Sequence, residues 1–170
     1  MPLPKFLKNF NVQINGFDYK MRAEEITLPK IKVKTEEWQG STMHGPLEVG
    51  VSLEKLESTI KLLEIPSEIL LATGFSVGGN VTVLVTGARQ RQGEAAEPLT
   101  AIMQGWIKGL DTGTWKAGDI KAASLTIEMA VYRYSFMIDK IPLINIDLEN
   151  GIQFISGVDY AESIRAALKV

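Results

Sequence analysis

Residues 120–138 read IKAASLTIEMAVYRYSFMI. Leu125, Ile127, Met129 and Val131 share one parity, whereas Tyr132, Tyr134, Phe136 and Ile138 share the other. Alternation of this kind marks a strand with one buried face. Fully extended, the run would reach roughly 60 Å, far beyond an ordinary strand. A bend or bulge is therefore expected near Val131, with the chain changing faces or sheets there. Asp139-Lys140 then reads as a turn into Ile141–Leu148, and Asn150-Gly151 as a second turn into Ile152–Ile155.

The rest of the chain supports a mostly-β reading. It carries 11 Val, 17 Ile and 11 Thr, residues that are stiff at χ1 and suit a pleated sheet. Asn11–Ile14, Asn15-Gly16 and Phe17–Arg22 predict a hairpin on a type I′ turn. Thr27–Glu36 alternates after Pro29, with Lys30, Lys32 and Lys34 on one side and Ile31 and Val33 on the other. Trp38–Pro46 is aperiodic. The sets Leu47/Val49/Val51/Leu53 and Leu56/Ser58/Ile60/Leu62 are out of phase, so a turn or bulge is expected at Glu54-Lys55. Pro66 to Leu71 followed by Gly74 predicts a short helix. Val81/Val83/Val85 mark a strand, residues 89–98 a polar turn, Ala101–Leu110 a strand and residues 112–118 a loop. At the end, Asp159 and Glu162 resemble a capping box, with Tyr160, Ile164, Ala167 and Leu168 on one helix face. Several strands, two short helices and no βαβ alternation predict a two-sheet antiparallel sandwich or barrel in one domain, 1–170.

Composition narrows the function. The chain has 170 residues, 45% of them apolar, with net charge −2, no cysteine and one histidine. That excludes a disulfide framework, thiolate metal sites and any multi-histidine site within one chain. Near-neutrality argues against sequence-independent nucleic-acid binding. The start MPLPKFLKNF has no long apolar run, and Ile69–Gly87 is broken by Gly74, Gly78, Gly79 and Asn80. Neither a secretory signal nor a membrane helix is expected, and the protein should be soluble and made in a cytoplasm.

No motif supplies chemistry. Asp111-Thr112-Gly113 matches the triplet of aspartic proteases, but that reaction needs two carboxylates, and Lys108 and Trp115-Lys116 frame an exposed loop. The segment 74–80, GFSVGGN, lacks phosphate-loop spacing, and Glu94 stands where a second candidate would need lysine. His44 has no carboxylate or serine set beside it, and a sequon at Asn80 matters only after secretion. No catalytic residue, cofactor or metal is expected. The lysine row 30/32/34 fits a solvated strand face or edge protection against aggregation, or else a contact with phosphate or a partner's carboxylates. Residues 1–35 carry +4 and the remainder −6, so identical copies could place basic against acidic parts.

A family resemblance is more specific. LPKIKVKTEEWQGSTMHGP, residues 28–46, is similar to the stretch L-P-K-x-x-x-K-T-E-x-Y/W-x-G-x-x-M-x-x-P of the major tail tube proteins of contractile-tailed phages and R-type pyocins. LPKFLKNFNVQINGFDY resembles that family's N-terminal strand and hairpin. LDTGTWKAGD, residues 110–119, resembles its D-x-G-x-W-K-x-G loop. DLENGIQFISGVDYAESIRAAL, residues 147–168, resembles its ending. Four motifs fall in order over nearly the whole chain, with weaker agreement in 52–105. His44 stands where the family often has Asp or Asn, and Ser41-Thr42 replace a glycine-rich pair. On this resemblance the Asp-Thr-Gly triplet is a loop, not a catalytic site.

The resemblance implies a two-sheet β-barrel protomer with one short flanking helix and a C-terminal helix, the tail-tube fold that the type VI secretion tube protein shares. It implies hexameric rings stacked into a hollow tube. A contractile sheath would drive that tube through a target envelope, with baseplate, tape-measure and terminator proteins as further partners. DNA, or ions in a bacteriocin, would pass through the lumen without specific binding. The target membrane would be crossed by the assembly rather than bound by this chain, which would reside in a virion tail or bacteriocin particle. Subunit or ring contacts are expected from Pro2–Phe10 and Glu36–Pro46, with Pro4, Phe6, Phe10, Lys30, Lys32, Lys34, Glu36, Glu37, Trp38, Met43, His44, Trp115 and Lys116 as the candidate residues. A secretion-system tube protein and a monomeric β-barrel binding a small ligand are the alternatives.

Overall fold

The computed structural model describes residues 3–73, 80–119 and 123–170. Its hub is the long strand of the deciding stretch, β9 (Leu125–Ile138). One edge of β9 pairs along its length with β8 (Glu97–Asp111). The other edge is shared: β6 (Leu56–Leu62) takes residues 125–131, and β10 (Ile141–Asp147) takes residues from Arg133 to Ile138. Gln104 lies opposite Arg133 and Gly105 opposite Val131, so Tyr132 is an extra residue in β9. An extra residue shifts the two-residue alternation by one. Accordingly Leu125, Ile127, Met129 and Val131 are buried before the bulge and Tyr134 after it. The expected bend near Val131 is present, and the strand changes neighbours there. Residues 120–122, the start of the stretch, lie outside the described residues.

The larger sheet spreads from this hub. On one side β8 is followed by β7 (Asn80–Gln90), β1 (Phe6–Ile14) and β2 (Phe17–Asp18). On the other, β10 is followed by β11 (Ile152–Ile155) and β12 (Val158–Asp159), while β3 (Ala23–Thr27) pairs with β6. A second sheet holds only β4 (Val33–Trp38) and β5 (Leu47–Leu53). Every pairing is antiparallel, which is the expected two-sheet architecture. Side chains from β1 and β6 to β10 meet in one core, including Val12, Ile60, Val83, Met103, Ile127 and Ile146. Each contributes about 1.5–3 kcal/mol of burial. The short helix α1 (Ser67–Thr73) sets Ile69 into this core; the C-terminal helix α2 (Glu162–Leu168) buries none of its residues.

The turns explain the connections. Asn15 and Gly16 both adopt positive φ, 49° and 84°, as a type I′ hairpin requires. The Asn15 N–H also donates to Thr82 O, and its Oδ1 accepts from the Thr82 N–H, each at 2.9 Å, locking the turn to β7. Asp139 and Lys140 take the same left-handed pair without glycine, and Ser156-Gly157 forms a further turn leading to β12, which the sequence reading omits.

Three expectations are corrected. The partner of β1 is not Phe17–Arg22: only Phe17 and Asp18 pair, because the chain turns away through Met21 at φ 63° and buries Tyr19. Thr27–Glu36 is not one strand; β3 ends at Thr27 and β4 begins at Val33, with Pro29, which has no N–H for a ladder, in the gap. Asp159 does not cap α2. The N-cap is Ala161 without a side-chain bond, and the Asp159 carboxylate instead accepts from the Gln153 and Ala161 N–H groups and pairs with Arg165 at 2.5 Å. The Gly74 helix stop, the glycines up to Gly79, and Pro2 lie outside the described residues.

Candidate assembly surface

The segment 28–46 becomes the linker to β4, β4 itself and the tip of the β4–β5 hairpin. Trp38 pairs with Leu47, Glu37 with Glu48, Glu36 with Val49 and Thr35 with Gly50, with a bulge beside Lys34. Directly opposed residues share a face. One face thus carries Trp38, Leu47, Glu36 and Val49, and the other Glu37 and Glu48. Every residue of β4 and β5 but Leu53 is exposed, Trp38 at 59% and Leu47 at 54%. The tip is ordered by local contacts. Gly40 and Met43 bond through backbone at 3.1 Å, the Gly40 N–H points at Met43 Sδ at 3.2 Å, and the Gln39 amide donates to Met43 O. Trp38 lies over Gly40, so Trp38 and Met43 come together. His44 is exposed beside them in sequence.

Electrostatics are uneven along the hairpin. Among the described residues, Glu37 and Glu48 have no ion-pair partner, and Glu36 has only Lys34 at 3.9 Å. At the root, Lys30, Lys32 and Lys55 line a groove of about 310 Å³ with Glu54 and Glu57. There Lys32 pairs with Glu54 at 3.2 Å and Lys55 with Glu57 at 3.0 Å. The Glu57 carboxyl is held below its ordinary range by hydrogen bonds from Lys108 and Lys55. The three lysines of the expected row are therefore not equivalent: Lys30 and Lys32 belong to the groove, Lys34 to the hairpin.

The N-terminal candidates sit elsewhere. Pro4 and Phe6 are exposed and Phe10 is half-buried against the core. Their segment is fastened to the turn joining β7 and β8: the Arg91 Nε–H donates to Leu3 O at 2.5 Å, and Lys5 and Arg89 both pair with Glu97. Those two cations, Lys5 first, hold the Glu97 carboxyl below its usual range. Trp115 and Lys116 occupy a third place, the loop after β8. The Asp111 carboxylate accepts from the Gly113 N–H at 2.9 Å and the Trp115 indole donates to Thr112 O at 3.2 Å, leaving Trp115 73% exposed.

Sequence reasoning missed part of the surface. Leu47, Val49 and Val51 alternate like a core strand yet face solvent, and so do Tyr160, Ile164 and Leu168 of α2. Alternation and amphipathicity show that a face is apolar; they do not say which molecule covers it. The summed effect is large. The chain exposes 11491 Å², whereas a compact monomer of its mass exposes about 8,300 Å². The described residues hold no group of three or more acidic or histidine side chains placed to bind a metal.

Comparison with known proteins identifies the family of the chain. The family model of phage tail tube protein FII matches residues 4–168. The chain is 31% identical over 173 residues to the tail tube protein of Escherichia phage P2, covering 97% of each. It is 28% identical over 171 residues to the major tail tube protein of Serratia phage KSP20, covering 99% of this chain and 98% of that one. In fold it resembles the tube-terminating cap of the anti-feeding prophage, with TM-score 0.58 and 11% identity over 81% of this chain and 93% of that one. It also resembles the sheath/tube terminator of the PVC extracellular contractile injection system, with TM-score 0.56 and 14% identity over 81% and 97%. A match over almost the whole length, an all-antiparallel fold and an uncovered apolar hairpin lead to one conclusion: the chain belongs to the phage tail tube protein FII family.

Proposed function

We infer that this chain is the structural subunit of the inner tube of a contractile tail. Six copies close into a ring, rings stack into a rigid hollow tube, and a surrounding sheath drives that tube through a target envelope. Baseplate, tape-measure and terminator proteins cap and measure it. The lumen conducts DNA, or ions in a bacteriocin, and binds neither specifically. The whole chain acts as one domain, made in the host cytoplasm and incorporated into the tail. It performs no catalysis in this role.

The observation that carries the reading is the excess surface. A chain exposing roughly 40% more area than a compact monomer of its mass is incomplete alone, and the excess is of the size that obligate interfaces bury. Exposed strand edges and an uncovered hairpin are liabilities in a monomer and joints in an assembly. The candidate contacts are the hairpin residues Glu36, Glu37, Trp38, Met43 and His44, the lysines 30, 32 and 34, the N-terminal Pro4, Phe6 and Phe10, and the loop residues Trp115 and Lys116.

The test is direct. The purified chain, concentrated and viewed by negative-stain electron microscopy, forms hollow tubes of uniform width, and sedimentation detects species far larger than one chain. A stable monomer at high concentration would sink the reading and favour a ligand-binding barrel.

A further inference from the structure

Asn-Gly occurs twice in the chain, at 15–16 and at 150–151. The dipeptide has a chemistry of its own. Glycine has no side chain to keep its backbone nitrogen away from the amide carbon of the asparagine before it. Attack by that nitrogen on Cγ expels the amide nitrogen as ammonia. Both pairs lie in exposed turns, and among the described residues neither glycine N–H donates a hydrogen bond. They differ in what holds the asparagine. Asn15 is clamped to β7: its N–H donates to Thr82 O and its Oδ1 accepts from the Thr82 N–H, each at 2.9 Å. Thr82 stands between buried Val81 and Val83 on a strand that is paired along both edges. Freeing the Asn15 side chain therefore means parting the hairpin from an interior strand. Asn150 is held only within its own turn, by Asp147. Its N–H donates to Asp147 Oδ1 at 3.1 Å and its Nδ2 to Asp147 Oδ2 at 2.7 Å, and among the described residues nothing donates to its Oδ1.

We propose that Asn150-Gly151 is a site of spontaneous deamidation and that its product loosens α2. The Gly151 nitrogen forms a bond to Asn150 Cγ, and the bond from Cγ to Nδ2 breaks. The proton lost by the glycine N–H passes through solvent to the departing nitrogen, which leaves as ammonia. Water then opens the cyclic imide at one carbonyl to aspartate or at the other to isoaspartate. The reaction needs only water and does not depend on the tube reading. Either product places a carboxylate where Nδ2 had donated to Asp147. Arg133, 2.8 Å from Asp147, then faces two carboxylates, with Glu149 in the same turn. Like charges sharing one site disfavour each other's ionised form, and the turn opens to separate them. The helix senses this through Arg165, the one residue of α2 that is even half-buried. Arg165 donates to Gly151 O at 2.8 Å and pairs with Asp159 at 2.5 Å, so the modified turn supplies half of the anchorage of α2. The isoaspartyl product also lengthens the main chain by a carbon just before Gly151, which carries the Gly151 carbonyl away from Arg165.

The full chain is incubated in mildly alkaline buffer, native and in denaturant, and digested with trypsin at intervals. Residues 9–20 form the peptide that carries Asn15 and residues 141–165 the one that carries Asn150. Fragment masses distinguish these two from the other asparagines. In denaturant both are expected to convert at similar rates. The native fold is expected to slow Asn15 about tenfold or more and Asn150 by less than about threefold, because an exposed turn opens more readily than a pair tied to an interior strand. Asn150→Gln should remove the conversion from 141–165. Amide hydrogen exchange over residues 163–168 should be at least about threefold faster in the converted chain, separated by ion exchange, than in the unconverted one. Native protection of Asn150 as strong as that of Asn15 overturns the site. A converted chain whose α2 exchanges as before overturns the link to the helix.

Discussion

Replacing Gly105 by alanine tests the corner on which the fold turns. Gly105 lies opposite Val131, beside the extra residue Tyr132. A Cβ built there would stand 1.9 Å from the carbonyl oxygen of Ala130, 2.8 Å from its carbon and 3.0 Å from the Val131 Cα. All three are backbone atoms of the paired strand, so no side chain can swing aside. Clearance to van der Waals contact requires β8 and β9 to separate locally by roughly 1.5 Å, enough to break the hydrogen bonds flanking the bulge. Losing two of them costs about 1 kcal/mol each, and overpacking adds about 1–3 kcal/mol. The total, about 3–5 kcal/mol, is a large part of an ordinary domain's stability and lowers the melting temperature by roughly 10 °C in a chain of this size. The assay is thermal unfolding of the unassembled chain by circular dichroism at fixed concentration. Gly45→Ala is the control: its backbone φ is ordinary and nothing lies within 4 Å of the added carbon, so it should change stability by less than about 0.5 kcal/mol. If Gly105→Ala melts within about 2 °C of the unmodified chain, the steric account of the corner is wrong.

The remaining predictions concern charge and assembly. Reversing Glu36 and Glu37 together to lysine should weaken tube formation and shorten the tubes seen by electron microscopy; unchanged lengths would count against a role for the hairpin. The buried carboxylate of Asp147 would be raised by burial, but hydrogen bonds from Asn150 and the Arg133 guanidinium outweigh this and hold it below its ordinary value. Its contribution is thus present above about pH 4 and lost as pH falls through the depressed value. The melting temperature should therefore decline below that pH, and Asp147→Asn should flatten the decline; identical slopes would remove Asp147 from the account. Hydrogen exchange of the amides in β4 and β5 should be fast in the monomer and slowed at least tenfold in tubes, whereas β8 and β9 should be protected in both; equal hairpin protection in the two states would show that the hairpin is stable without a neighbour.

The strand signals were strong where one face met the chain's own core. In β6, Leu56, Ser58, Ile60 and Leu62 are buried in strict alternation, and the phase break at Glu54-Lys55 is where the chain passes from one sheet to the other. The parity switch at Val131 announced the bulge in β9. Legibility failed where local pattern and tertiary context diverge. Lys30, Lys32 and Lys34 alternate with Ile31 and Val33 as a strand would, yet Pro29 interrupts the ladder and the segment crosses between sheets. Asp159 has the spacing of a cap, but Arg165 and the Gln153 N–H compete for its carboxylate. Motif density singled out the hairpin and its tip in the sequence, but nothing there pointed to the groove lined by Leu7, Phe10, Leu99 and Phe136. Leu7 and Leu99 are 92 positions apart in sequence, and no local period relates them. They meet only because β1 and β8 flank β7.

The hairpin's own chemistry bears on the order of events. A two-stranded ribbon without a core is marginal in water, and Glu37 directly opposite Glu48 weakens it further through like-charge repulsion. Bulky apolar residues on its other face, Trp38, Leu47 and Val49, gain nothing until a second surface covers them. The isolated chain thus holds this hairpin in a poorly stabilised state, and apposing the acidic faces of two hairpins would bring four carboxylates together, Glu37 and Glu48 of each. A surface that covered the apolar face and brought cations to Glu37 and Glu48 would remove both penalties at once.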